Sequence, residues 1–185
     1  MAIPYFLIEE VVFLLKLFLP NEFVKNVYDI SPEKLKQRGV KGIITDLDNT
    51  LIEWNRPNAT PKLIEWLTSM RENGIKVTIV SNNKEERVKL FSDPLQVPFI
   101  HRAKKPFLTA FQRALNTMEL KREEVVVIGD QLLTDILGGN RLNLYTILVV
   151  PVASSDGWTT RVNRMIERRI MKSLKRHGYI QWEES

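Results

Sequence analysis

Residues 41–150 alternate between short apolar runs and segments with helical periodicity. Apolar runs without a polar face are typical of strands that are covered by helices on both sides. The alternation predicts an α/β fold, a Rossmann-like three-layer sandwich with a five-stranded, mainly parallel sheet. The predicted strands are residues 42–44, 75–80, 97–100, 124–128 and 144–150. Pro98 lacks an amide donor, so we expect the third strand toward an edge of the sheet.

The pattern divides the chain into three parts. These are an N-terminal helical segment at 1–40, the α/β core at 41–150, and a basic amphipathic helix at 151–185 that packs on or beside the core. Residues 1–20 are almost continuously apolar, but Glu9, Glu10 and Lys16 make this stretch too short and too polar to span a membrane. It also lacks the basic start and cleavage site of a secretory signal. A helix there either packs on the core or lies on a membrane or partner surface.

Helical periodicity returns over residues 158–176 with two opposed faces. The apolar face consists of Val162, Met165, Ile166, Ile170 and Leu174. The basic face consists of Arg161, Arg164, Arg168, Lys172 and Lys175. Such a helix is typical of contact with an anionic membrane or an acidic partner, and it equally fits a helix docked on the core with a solvated basic face.

Composition narrows the chemistry further. The chain of 185 residues predicts one domain with a sizeable core. The absence of cysteine excludes disulfides and thiolate ligands and fits a reducing compartment, and two histidines disfavour a histidine-based metal site. The formal charge of +5 is concentrated near the C-terminus. It permits nucleic-acid binding but does not favour it, because no aromatic stacking platform is interleaved with the basic residues.

Polar side chains collect at or soon after the carboxyl ends of the predicted strands, namely Asp46, Asp48, Ser81, Lys104, Lys105, Asp130 and Asp135. Open α/β sheets bind ligands in the crevice beyond those ends. Asp46 and Asp48 are one residue apart on extended chain and should point to the same side. Two close carboxylates are costly unless a cation or a shared proton offsets their repulsion, so this spacing implies a metal ion.

Four motifs occur in a characteristic order. They are DLDNTL at 46–51, SNN at 81–83, AKKP at 103–106, and GDQLLTD at 129–135 with a trailing GGNR at 138–141. Over residues 41–150 this arrangement resembles the haloacid dehalogenase (HAD) superfamily of phosphohydrolases, and within it the class IIIA, YqeG-like branch. That branch includes a mitochondrial phosphatase acting on phosphatidylglycerophosphate.

The resemblance implies roles for the aspartates. Asp46 is the expected nucleophile, forming an aspartyl phosphate, and Asp48 the acid that protonates the leaving alcohol and then the base that deprotonates water. Mg²⁺ is the expected cofactor because it prefers oxygen ligands. Its expected ligands are Asp46, Asp48 through its backbone carbonyl, Asp130, and Asp135 in or beside the shell.

Three residues are expected to bind the substrate phosphate. Ser81 supplies a hydroxyl with adjacent amides, and Lys105 supplies a positive charge. Lys104 competes for the lysine role, but the family pattern places the lysine directly before the proline and favours Lys105. Asn82 is expected to contact substrate or else to cap the next helix.

The intervals between the motifs hold only loops and single helices, so no cap domain fits and we expect an open site. An open site favours bulky substrates. The leading hypothesis is a lipid phosphate, such as phosphatidylglycerophosphate, hydrolysed by a cytoplasmic protein that sits peripherally at the inner face of the membrane with its terminal helices. The alternatives are a soluble phosphatase for a nucleotide, a sugar phosphate or a nucleic-acid end, and a non-catalytic interaction module.

Overall fold

A single parallel sheet forms the centre of the computed structural model, which describes residues 14–153 and 158–180, without the side chains of 158–162. The strands are β1 (Glu22–Val24), β2 (Gly42–Thr45), β3 (Lys76–Val80), β4 (Phe99–Ile100), β5 (Val125–Gly129) and β6 (Tyr145–Val149). Their spatial order is β1-β6-β5-β2-β3-β4, and every neighbouring pair is parallel. The predicted α/β class is confirmed, and β4 lies at an edge, as predicted from Pro98, which directly precedes it.

The predicted count of five strands is wrong, because the described residues form a sheet of six. The additional strand, β1, comes from the predicted N-terminal segment and pairs with β6, with Phe23 opposite Leu148. It has only three half-buried residues, which is too short for a period to be visible in the sequence. Asn21 fixes its start, since its Oδ1 accepts from Thr146 N at 2.8 Å.

Helices cover both faces of the sheet. They are α1 (Pro32–Gln37), α2 (Pro61–Glu72), α3 (Glu85–Ser92), α4 (Leu108–Met118), α5 (Leu137–Asn140), which follows a π-helical turn at Leu132–Ile136, and α6 (Trp158–Arg176). The core on the face of α1, α2 and α3 includes Leu35, Ile43, Trp66, Phe91 and Ile128. The core on the face of α4 includes Ile44, Phe111, Leu115 and Val127. Successive residues of β2 therefore face opposite layers, as a strand buried on both sides requires.

Two helix starts follow from capping side chains. Ser31 accepts a hydrogen bond from Lys34 N at 3.3 Å, and Thr60 accepts one from Leu63 N at 3.2 Å. Proline occupies the next position in both helices, where its missing amide proton is not needed. Both helices therefore begin with a capping hydroxyl followed by proline.

The predicted faces of the C-terminal helix are wrong in part. Leu174 is buried as expected, but Met165 and Ile166 are 55% and 44% exposed. Glu167 is buried instead, and Arg164 turns inward to pair with Asp130. Charged contacts thus orient α6, and apolar periodicity cannot reveal them. Val162 and Arg161 lie outside the described side chains.

Residues 46–107 contain only loops, a short 3₁₀ turn, α2, α3 and the strands β3 and β4, so the expected absence of a cap domain in these intervals is confirmed. The predictions for residues 1–13 lie outside the described residues. Within 14–153 and 158–180, no helix is both long enough and apolar enough to cross a membrane.

Candidate active site

Five side chains singled out in the sequence lie at one edge of the sheet. Asp46 follows β2, Ser81 follows β3 and Asp130 follows β5. Because neighbouring strands are parallel, their carboxyl ends share this edge. Lys105 and Asp135 reach the same place from the segments after β4 and β5. All five residues are buried, so their polar groups depend on one another rather than on bulk water.

Lys105 is the central contact. Its Nζ lies 2.7 Å from Asp46 Oδ1 and 2.7 Å from Asp135 Oδ1, and its side chain is 3% exposed. Lys104 is exposed, so the structure brings Lys105 rather than Lys104 to the carboxylates. Burial acts to lower the pKa of Lys105, but the charges of Asp135 and Asp46 raise it above the usual lysine value. The contacts with the two carboxylates therefore favour the charged ammonium form.

Two side chains hold Asp130, and a third supports one of them. The guanidinium of Arg164 pairs with its carboxylate and donates to its backbone oxygen at 2.6 Å. Thr50 Oγ1 donates to its Oδ1 at 2.7 Å. Glu167 in turn accepts from Arg164 at 3.2 Å and from Leu133 N at 3.0 Å. Burial raises the pKa of Asp130 above the usual aspartate value, and Arg164 opposes that rise.

Three carboxylates form a group that suits a divalent cation. One oxygen each from Asp46, Asp130 and Asp135 lies within 4.8 Å of the others. Burial also raises the pKa of Asp135, against the opposing charge of Lys105. Carboxylate oxygens are the ligands that Mg²⁺ prefers, and a cation there offsets the mutual repulsion. The donor set and its burial therefore fit a metal ion.

Asp48 lies outside that group and is clamped by two side chains. Its Oδ1 accepts from Arg87 Nε at 3.1 Å and lies 2.9 Å from Arg87 Nη2, and its Oδ2 accepts from Asn83 Nδ2 at 2.9 Å. Burial raises its pKa, while Asn83 and Arg87 act in the opposite sense. Both carboxylate oxygens are thus oriented before any substrate arrives.

Ser81 and Asn82 occupy different positions at the end of β3. Ser81 is 2% exposed, and its Oγ accepts from Asn83 N at 3.1 Å. Asn82 brackets the backbone of Lys105, since its Oδ1 accepts from Lys105 N at 2.7 Å. The alternative that Asn82 caps the next helix is not observed, because α3 starts after Lys84 without a side-chain cap.

Two backbone features explain why the aspartate motifs have their neighbours. A Cβ atom at Gly129 would lie 2.3 Å from the Cβ of Asp135, so only glycine lets that carboxylate approach the end of β5. Asn49 has φ 64°, a left-handed conformation that asparagine tolerates better than most residues. Asparagine at position 49 therefore suits the turn that follows Asp48.

Comparisons with known proteins identify the family. Residues 43–103 match the model of the haloacid dehalogenase-like hydrolases, and residues 102–164 match the HAD-hydrolase-like model. The chain is 71% identical over 169 residues to the probable phosphatase YqeG of Bacillus subtilis, covering 91% of this chain and 98% of that protein. The chain belongs to the YqeG-like branch of the HAD superfamily. The predicted family and the prediction of a phosphatase are thereby confirmed.

Two further proteins are similar to this YqeG-like phosphatase. Phosphatidylglycerophosphate phosphatase 1 of Arabidopsis thaliana is 28% identical over 171 residues, which cover 86% of this chain and 49% of that protein. The chain thus spans about half the length of that relative. The cobalt-bound deoxy-D-mannose-octulosonate 8-phosphate phosphatase of Haemophilus influenzae has a TM-score of 0.54 at 15% identity, covering 74% of this chain and 90% of that one. This second likeness supports the fold alone.

The sequence did not identify three charged residues that the structure places at the site. Arg87 follows the SNN motif by one helical turn, a position that is equally typical of a solvated helix start. Arg164 was assigned to the basic face of α6. Glu167 is the one acidic residue of that helix and lies three positions after Arg164, hence on the same side. This residue is the signal in the sequence that Arg164 faces the protein rather than solvent.

Lys105→Met is expected to lower the free energy of unfolding by about 3–5 kcal/mol, because it leaves the carboxylates of Asp46 and Asp135 buried without their cation. Lys104→Met removes an exposed charge and is expected to change it by less than about 0.5 kcal/mol. Urea unfolding followed by circular dichroism measures both. Equal unfolding free energies for the two variants would contradict the assignment of Lys105 as the buried cation.

Proposed function

We propose that this YqeG-like phosphatase is a Mg²⁺-dependent phosphomonoester hydrolase that acts through an aspartyl phosphate on a lipid phosphate such as phosphatidylglycerophosphate. The observation that supports the chemistry is the convergence of Asp46, Lys105, Asp130 and Asp135, with the clamped Asp48 two residues from Asp46. A nucleophile, a cation, candidate metal ligands and an acid–base group thus share one open edge.

Asp46 is the proposed nucleophile. Its carboxylate oxygen forms a bond to phosphorus while the bond from phosphorus to the substrate alcohol breaks. Lys105, in contact with Asp46, is placed to stabilise the charge that spreads over the phosphoryl oxygens, and Ser81 offers a hydroxyl nearby. Water then attacks the phosphorus, which releases inorganic phosphate and restores the carboxylate.

Asp48 is the proposed acid and base. It gives a proton to the departing alcohol and later takes one from the attacking water. The rise in the pKa of Asp48 that burial causes favours the protonated form needed first. Arg87 and Asn83 orient its two oxygens, and they act through Asp48 rather than on the substrate.

Mg²⁺ is the proposed metal, on the chemistry of its ligands. Asp46, Asp130 and Asp135 would hold it with their carboxylates, together with the backbone carbonyl of Asp48. When bound, the ion supplies positive charge to the phosphoryl oxygens. Arg164 and Lys105 keep the same carboxylates in place by pairing with them.

Three observations support a lipid phosphate as the substrate. No cap domain encloses the site within residues 46–107. The Arabidopsis relative is named for phosphatidylglycerophosphate. Helix α6 exposes Met165 and Ile166 next to the exposed cations Arg168 and Arg169, a combination typical of membrane-surface helices. The proposed place of action is the cytoplasmic face of a membrane.

Asp46→Asn is expected to abolish phosphate release, and Asp48→Asn to slow it by about 10²–10⁴-fold. p-Nitrophenol leaves with little need of a proton, so Asp48→Asn should still form the aspartyl phosphate from p-nitrophenyl phosphate but lack the base that hydrolyses it. Intact mass spectrometry after acid quenching should detect phosphoenzyme in Asp48→Asn and none in Asp46→Asn. Asp93→Asn, at an exposed carboxylate, is the matched control with wild-type turnover. Phosphoenzyme in Asp46→Asn would exclude Asp46 as the nucleophile.

Mg²⁺ is expected to raise the thermal midpoint, by more at about pH 8 than at about pH 6, because ligands must be deprotonated to bind it. The pKa values of Asp130 and Asp135 are raised on folding, so without metal these groups bind protons that the unfolded chain releases. In the metal-free protein, the contribution of Asp130 and Asp135 to stability therefore falls as pH rises from about 4 toward neutrality. The difference in thermal midpoint between the metal-free and metal-bound proteins should widen accordingly. Differential scanning fluorimetry measures this. An equal shift in Asp130→Asn and wild type would refute the proposed metal position.

Phosphatidylglycerophosphate in vesicles should be hydrolysed with a kcat/KM at least about tenfold above the kcat/KM for glycerol 3-phosphate or for a nucleoside monophosphate. The reason is that an open site gains selectivity for the lipid over soluble esters from the membrane surface that carries the substrate. Phosphate release with and without Mg²⁺ measures all three substrates. Efficient turnover of the soluble esters, with none of the lipid, would establish the soluble-phosphatase alternative instead.

A further inference from the structure

Large apolar side chains are exposed in segments near the edge of the sheet that carries the candidate active site. Among all the described residues, nine large apolar side chains are at least 39% exposed. Four of them lie in the segments that follow β2, β4 and β6, and we call these four the mouth rim: Trp54 at 44%, Phe107 at 66%, Val150 at 39% and Val152 at 46%. These segments leave the sheet at the edge that carries the catalytic residues. The rim is therefore separate from the terminal helices.

Hydrogen bonds and chain position tie the rim to the catalytic loop. Trp54 N donates to Asn49 Oδ1 at 3.4 Å, and Val152 N donates to Asn49 O at 2.8 Å. Asn49 belongs to the loop of the two proposed catalytic aspartates. Phe107 lies two residues after the buried Lys105 on the other flank of the site. Apolar groups therefore stand on both sides of the place where a phosphate would bind.

A groove lined by both apolar and basic side chains adjoins the rim. It has a volume of about 510 Å³ and runs between the segment after β6, with Val150 and Pro151, and helix α6, with Arg168 and Lys172. Both cations are exposed. Asp130 also lines the groove, so the groove reaches one of the proposed metal ligands. Exposed positive charge and exposed apolar surface thus meet beside the catalytic edge.

We propose that the mouth rim, together with Arg168 and Lys172, docks the open site onto an anionic bilayer. Tryptophan and apolar side chains at loop tips enter the headgroup boundary, and neighbouring lysine and arginine side chains are attracted to anionic lipids. A protein partner seated on the same residues would cover the catalytic edge. A bilayer can cover that edge and still deliver the phosphate ester, because the ester is part of the surface.

This docking surface deepens the proposed action on a lipid phosphate and rests on it. Its test, however, measures binding rather than hydrolysis, so the two proposals can fail separately. The apolar part of the surface differs from the terminal helices that the sequence indicates as membrane contacts, because it belongs to the segments after β2, β4 and β6, whereas its cations Arg168 and Lys172 belong to α6.

Co-sedimentation with vesicles provides the test. One set of vesicles contains phosphatidylcholine alone, and the other contains about one third phosphatidylglycerol in addition. Wild-type protein should bind the anionic vesicles more strongly. The double variant Trp54→Ser/Val152→Ser, and separately Phe107→Ser, should each lower the partition constant by about tenfold or more. Leu90→Ser is the matched control, since Leu90 is 56% exposed on α3, and it should bind as wild type does.

Charge reversal tests the electrostatic part. Lys172→Glu should weaken binding to the anionic vesicles by about fivefold to tenfold and leave binding to phosphatidylcholine unchanged. Lys89→Glu reverses an exposed charge on α3 and should change neither. Circular dichroism melts establish that each variant is folded, as expected for exposed positions.

Several outcomes would overturn the proposal. The first is that wild-type protein does not bind anionic vesicles. The second is that both rim variants bind these vesicles as strongly as Leu90→Ser does. The third is that Lys172→Glu binds them as strongly as Lys89→Glu does. Rim-dependent binding without hydrolysis of the lipid ester would support the docking surface and refute the lipid substrate. Hydrolysis of soluble esters without vesicle binding would refute the docking surface while leaving the aspartyl-phosphate chemistry in place.

Discussion

The proposed active site depends on the neutralisation of buried negative charge. Lys105 supplies it through 2.7 Å contacts to Asp46 and Asp135, two residues that reach the site from different strands. Removing a carboxylate from water costs several kcal/mol, and that cost is offset only when the partner charge is well placed. The segments after β2, β4 and β5 are therefore fixed relative to one another by one ammonium group. The chemistry proposed for Asp46 and the packing of this edge have the same physical basis.

A second buried ion pair determines how the C-terminal helix lies. Arg164 must reach Asp130, and Glu167 completes the contact by accepting from both Arg164 and Leu133 N. With these charges turned inward, the adjacent Met165 and Ile166 cannot also face the core. Electrostatics thus overrides the apolar arc of the helix. The consequence is a helix that supports the active site and leaves apolar surface outside.

The sequence could predict what depends on local pattern and on the geometry of parallel sheets. Strand β2 is apolar at Ile43 and at Ile44, and each faces a different layer, which is why a two-sided sheet was predictable. Motifs that follow neighbouring parallel strands must share an edge, so the meeting of Asp46 and Asp130 was predictable as well. Strand β1 was not, because three residues show no period.

Side-chain pairings between distant elements could not be predicted for a different reason. A charged residue on a helix is equally compatible with solvent until its tertiary neighbours are known. Arg87 and Arg164 are separated from their aspartate partners by 39 and 34 positions, and nothing local in the sequence distinguishes them from solvated arginines. Such contacts are decided by the fold, which brings a buried carboxylate within reach and leaves it in need of a cation.

The absence of a cap ties the chemistry of the site to its exposed apolar rim. Phosphoryl transfer benefits when water is excluded and charged groups act in a low dielectric, and a cap domain would provide that enclosure. Here the segments after β2 and β4 have no cap to pack against, so Trp54 and Phe107 remain exposed at the mouth. An anionic bilayer seated on this rim would bury those side chains and restrict water at the mouth of the site at the same time. The surface that presents the substrate would then also complete the enclosure, and an open site would thereby favour the proposed lipid ester.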